Sequence, residues 1–83
     1  MAIPAALENA IHNFAPRATV KVSLTNGHYT GTVIAPEFDQ MTHLARQRAI
    51  WQQIREQLGA QATQIGMLLL YSPEEAEAAV EEP

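Results

Sequence analysis

The stretch Pro36–Gly59, PEFDQMTHLARQRAIWQQIREQLG, constrains the fold more than any other part of this chain. Leu44, Gln47, Trp51, Ile54 and Leu58 recur at three- and four-residue steps, with Ile50 beside them. Side chains at that spacing share one face of a helix. Thr42 suits the N-cap and Gly59 the stop. A long amphipathic helix must lay its apolar stripe on another layer, and the sequence on either side supplies strands. The pattern therefore predicts a small α+β domain with a helix on a sheet.

The flanking segments follow in order. Residues 3–14, IPAALENAIHNF, form a short helix in which Pro4 sits in the first turn, where its missing N–H costs nothing. Ile3, Leu7, Ala10, Ile11 and Phe14 make its apolar stripe, and Pro16 ends it by pushing Ala15 out of helical angles. Thr19–Thr25 alternates, with Val20, Val22 and Leu24 on one face and Thr19, Lys21, Ser23 and Thr25 on the other, the mark of a half-buried strand. Asn26-Gly27 then signals a type I′ hairpin, which needs positive φ at both residues. The return strand, His28–Ala35, places Tyr29, Val33 and Ala35 on one face with Gly31 between them. Glu37–Met41 is a short turn that delivers Phe38 to the core.

After Gly59 a polar connection, Ala60–Thr63, leads to a third strand, Gln64–Tyr71, apolar on both faces. Ser72-Pro73-Glu74-Glu75 starts a last helix, with Ser72 as N-cap and Glu75 placed for a capping box; this mostly polar helix frays near Glu81. The order α-β-β-α-β-α and a right-handed crossover predict a three-stranded mixed sheet with helices packed on one face.

Composition narrows the function classes. A chain of 83 residues has room for one modest core and hardly for a roomy catalytic cleft. Its net charge of −4 disfavours non-specific nucleic-acid binding, which needs a clustered positive field. Having no cysteine, it forms no disulfide and offers no thiol for catalysis or metal ligation. MAIPAALENA lacks the basic region and apolar run of a signal peptide, and no segment is apolar over the roughly 18 residues a span needs. The expectation is a soluble cytoplasmic protein.

Candidate reactive groups are sparse. His12, His28 and His43 fall on different elements without ligand spacing. Glu37, Asp39 and His43 are close in sequence, but acid–base work needs a desolvating pocket and an oriented partner. The two carboxylates read better as charges facing the N-terminus of the long helix. Arg48 and Arg55, seven apart, stack on one helix flank with Gln52 between them and Glu56 as an ionic partner, while Arg46 points elsewhere. There is no Gly-x-x-Gly clamp of the KH type. No catalytic residue is expected.

Four blocks in register carry a family resemblance: Gly27-His28-Tyr29, Glu37–Thr42, Arg46-Gln47-Arg48 with Ile50-Trp51, and Tyr71–Glu75. Together they resemble BolA-family proteins over nearly the whole chain after residue 3, as one BolA-like domain, 1–83. The resemblance implies a fold related to the type II KH domain and no catalytic activity. It also implies an adaptor role with a monothiol glutaredoxin partner, sharing a 2Fe-2S cluster in iron–sulfur or iron homeostasis. The family takes cluster ligands from the hairpin loop and from a His at the start of the third strand. His28 carries over as the loop ligand; Gln64 stands at the second position, and a neutral amide is no substitute for imidazole on iron. The basic triplet, often with a central His, has Gln47 there.

Two alternatives come from other classes. One is a KH-like nucleic-acid-binding transcriptional regulator using Arg46, Arg48 and Arg55. The other is a diverged interaction module without a cluster, forming a homodimer through the third strand. In the family register Gly66, Leu68 and Leu70 face the helices, and Ile65, Met67, Leu69 and Tyr71 face outward with Ile34 as an apolar patch, a usual mark of a contact surface. Met67 and Leu69 are the partner-binding candidates there. Within the core, Trp51 is expected to fill the space left by Gly31 and Gly66.

Overall fold

The computed structural model describes residues 2–81. Its elements are α1 (Ile3–Phe14), β1 (Thr19–Thr25), β2 (His28–Ile34), a 3-10 turn (Pro36–Phe38), α2 (His43–Leu58), a second 3-10 segment (Gly59–Gln64), β3 (Ile65–Tyr71) and α3 (Pro73–Glu81). Helix α3 is described as far as Glu81, and the fraying expected near that residue lies outside what the described residues test. The sheet order is β1-β2-β3, with β2 antiparallel to β1 and parallel to β3. This is the expected α+β architecture with a mixed three-stranded sheet.

The local signals work as their chemistry dictates. Asn26 and Gly27 take φ of 51° and 81°, which closes the hairpin with Thr25 opposite His28. The Thr42 hydroxyl accepts from the Ala45 N–H at 3.1 Å, and Gly59, at φ 58°, ends α2 by donating its N–H to the Arg55 carbonyl. Ser72 and Glu75 form the reciprocal box at the start of α3: Ser72 N–H donates to Glu75 Oε1 at 2.8 Å and Glu75 N–H to Ser72 Oγ at 3.3 Å.

The core lies between the sheet and the α1–α2 pair. Phe38, Leu7, Ile11, Ile50, Ile54 and Val33 are fully buried there, each contributing about 1.5–3 kcal/mol relative to exposure. The Phe38 ring stacks on Phe14 with centroids 6.2 Å apart. The turn Pro36–Phe38 thus delivers Phe38 to the core as expected.

Three burial expectations fail. The buried seam of α2 is Arg46, Ile50, Ile54 and Leu58; Leu44 lies about 100° from its middle, at ~100° per residue, and is 60% exposed. Leu24, at the hairpin end of β1, is likewise exposed. In β3, Tyr29 pairs with Ile65 but Thr30 pairs with Met67, so Gly66 is the extra residue of a bulge. The bulge restarts the alternation: Ile65 turns into the core, and Gly66 is exposed rather than facing the helices. Finally, the connection after Gly59 is a 3-10 helix that buries Ala62.

Candidate functional site

The hairpin and the start of β3 meet at one end of the sheet. His28 opens β2 and is exposed. The Gly66 bulge lies against it, so closely that a Cβ built at Gly66 would sit 3.3 Å from the His28 Cβ. The same end carries Gln64, exposed as the last residue of its 3-10 helix. The donors there are one imidazole and one carboxamide. Among the described residues no three His, Asp or Glu side chains group as metal ligands. This set does not fit a cluster held in the family manner, because the second position supplies no strong iron ligand.

The other two histidines serve elsewhere. His12 Nε2 lies 3.0 Å from the Ala18 carbonyl, which ties α1 to the segment entering β1. His43 is the exposed first residue of α2. Glu37 Oε2 accepts from the Arg17 N–H at 3.3 Å, which ties the turn before α2 to the segment entering β1.

Arg46 is the main correction to the site as read from sequence. It is 3% exposed and not available to a partner. Its Nε donates to the Met41 carbonyl at 3.1 Å, and its Nη1 to the Leu70 carbonyl at 3.2 Å. Both Nη atoms donate to the Glu75 carboxylate, and the guanidinium lies 5.7 Å from the Phe38 ring centre. One planar fork thereby joins α2, β3, α3 and the Pro36–Phe38 turn, a geometry that suits Arg and not Lys. The Glu75 carboxyl is held down to about 2, first by the Arg46 hydrogen bond and then by the Ser72 backbone N–H. The readable signal was register: Arg46 falls four residues before Ile50 on the Ile50–Ile54–Leu58 row.

Gln47 and Trp51 form a second link. Gln47 Nε2 donates to the Leu68 carbonyl at 3.0 Å, and its Oε1 accepts from Trp51 Nε1 at 3.0 Å. Trp51 is half-buried against the core and does not fill the space above the two glycines. Leu68 does so at Gly31, with Cδ2 3.0 Å from where a Cβ would stand. At Gly66 the neighbour is His28.

Arg48 and Arg55 are exposed on α2. Among the described residues the salt bridge formed is Arg46–Glu75, so the flank is not paired with Glu56. Met67 and Leu69, 57% and 43% exposed, stand on the open face of the sheet and border a groove with Lys21, Ser23, Thr25, Thr30 and Thr32. Lys21 is the member of this face that sequence reasoning had not singled out. No described helix is long and apolar enough to cross a membrane.

Comparison with known proteins places this geometry. No family model matches the sequence, and a search of curated proteins finds no match. Solved structures do match over nearly the whole chain. The BolA domain of SufE1 from Arabidopsis thaliana is similar with a TM-score of 0.69 at 10% identity, covering 90% of this chain and 98% of that one. A bol-like protein from Babesia bovis is similar with a TM-score of 0.65 at 18% identity, covering 98% and 96%. A bolA protein homologue from Coxiella burnetii shares 25% identity with a TM-score of 0.62, covering 93% and 99%. The fold is BolA-like, and the resemblance read from the four sequence blocks holds in three dimensions.

Proposed function

We propose that this chain, with its BolA-like fold, works as a non-enzymatic binding module acting through a protein partner. A monothiol glutaredoxin is the leading candidate. The observation that supports the reading most is the match of the fold from end to end with BolA proteins. The absence of enzymatic activity belongs to the same proposal: the buried arginine is committed to structural bonds, and among the described residues the strongly shifted carboxyl is its ion-pair partner.

The pairing rests on protein contacts rather than on two cluster ligands. His28, beside the Gly66 bulge, is the single residue of the family type at the end of the sheet where a partner's iron would be met. Arg48 and Arg55 border α2 as exposed cations for an acidic partner surface. Burial of Arg46 removes one of the three cations on which the nucleic-acid reading depended, and leaves that reading weaker.

Co-expression with a monothiol glutaredoxin, followed by size-exclusion chromatography, tests the proposal. A co-eluting complex is the expected result, and its visible spectrum reports any iron carried. If iron is present, His28→Ala changes the spectrum while the proteins still co-elute. Separate elution of the two proteins at micromolar concentration, with or without iron, overturns the proposal.

A further inference from the structure

Among the described residues nothing covers the face of the sheet turned away from α1 and α2, and that face is chemically one-sided. On β3 it shows Met67 and Leu69, on β2 Thr30 and Thr32, and on β1 Lys21 among Ser and Thr. Cross-strand register puts Lys21, Thr32 and Leu69 in one row and Ser23, Thr30 and Met67 in the next. Polarity therefore runs across the strands, from a cation at one edge to thioether and isobutyl groups at the other. None of the three strands contains an Asp or Glu, although the chain has nine acidic residues and a net charge of −4.

We infer that this face docks an acidic amphipathic helix of a partner protein; its hairpin end adjoins His28, which pairs with Thr25 of the groove. Charge complementarity selects the sign. Among the described residues Lys21 is the one ionic group lining the groove and no carboxylate of the three strands meets it, so an acidic segment complements the face. Dimensions select the helix: β1 and β3 are separated by two strand spacings, about 9–10 Å, close to the ~10–12 Å diameter of a helix with its side chains. A helix lying over β2 sets its apolar side on Met67 and Leu69 and its acidic flank beside Lys21. The groove of about 390 Å³ between those residues receives its anchoring side chains.

A second copy of the chain fits less well. Whatever the axis of a sheet-to-sheet pairing, Lys21 of one copy finds no carboxylate on the strands of the other.

The test is an NMR titration of the isotope-labelled chain with two synthetic amphipathic peptides. One is built of leucine, alanine and glutamate, and its twin has lysine for glutamate. The glutamate peptide is expected to shift Lys21, Thr30, Thr32, Met67 and Leu69, and to bind about three- to tenfold more tightly than its twin. Lys21→Glu reverses that order, and Leu69→Lys weakens both peptides. These side chains are exposed, so an unchanged Trp51 fluorescence spectrum verifies that each variant is folded. Equal binding of the two peptides, shifts confined to α2, or no binding at millimolar peptide overturns the inference. So does self-association of the free chain that Leu69→Lys abolishes, because the occupant is then a second copy.

Discussion

Replacing Arg46 with alanine separates a structural arginine from a partner-binding one. The guanidinium satisfies the buried Leu70 carbonyl and the partly buried Met41 carbonyl, and it packs on Phe38. A buried acceptor stripped of its donor costs about 1–3 kcal/mol, and a lost partly buried bond about 1. The contact with the Phe38 ring adds about 0.5–1. Glu75 is 39% exposed in its side chain and regains water when its partner goes, so nothing is added for it. These terms add to about 2.5–5 kcal/mol, and with the site relaxing around the deletion the expected loss lies toward the lower end, about 3 kcal/mol, a large share of the stability of so small a domain. In urea, with a slope of about 1 kcal/mol per molar for a chain this short, the unfolding midpoint falls by roughly 3 M. Arg46→Lys recovers only part of this, since one ammonium cannot reproduce the fork. A loss under ~0.5 kcal/mol, the usual effect of a surface substitution, would refute the reasoning and return Arg46 to the contact surface.

Other expectations follow from the same contacts. Gly31→Leu drives a side chain into Leu68 and the Lys21 carbonyl and should cost about 1–3 kcal/mol by overpacking, whereas the exposed Gly66 has only His28 to crowd; urea midpoints of the two variants give the comparison. Gln47→Leu leaves the Leu68 carbonyl and the Trp51 indole N–H without their partner, for a loss of about 1–2 kcal/mol and a change in Trp51 emission. Acid stability carries the Glu75 signature. Its carboxyl sits near 2 when folded against 4.5 ordinarily, so its contribution is fully present above about 4.5 and is lost as pH falls toward 2. Glu75→Gln should flatten that part of the stability–pH curve while leaving the curve above pH 5 parallel to the wild type.

Much of the fold was legible because local chemistry decides it. The Asn26-Gly27 turn, the Thr42 and Ser72 caps and the Gly59 stop each act within a few residues, and the sequence displays them directly. What stayed hidden depends on contacts between elements. The Gly66 bulge arises from how β3 seats beside β2, and it alone reverses the facing of Ile65. Leu44 shares a helical spacing with Trp51, but the sheet meets α2 along the Arg46–Leu58 row, which leaves Leu44 in water. Arg46 looked like one more surface cation because the Met41 and Leu70 carbonyls are backbone groups that no side-chain pattern announces and its Glu75 partner lies 29 residues away; only its place on the Ile50–Ile54–Leu58 row hinted at burial. The open face of the sheet was half visible: Met67 and Leu69 stood out on an apolar strand, while Lys21 joins them only through the register of three strands.

The central claim is that this BolA-like module pairs with a monothiol glutaredoxin through protein contacts. Native mass spectrometry of the two purified proteins, mixed with and without iron and sulfide, tests it most directly. The account predicts a one-to-one complex in both mixtures. Its mass in the iron-free sample should be the sum of the two chains. Only the separate chains in both mixtures, at concentrations well into the micromolar range, would contradict it.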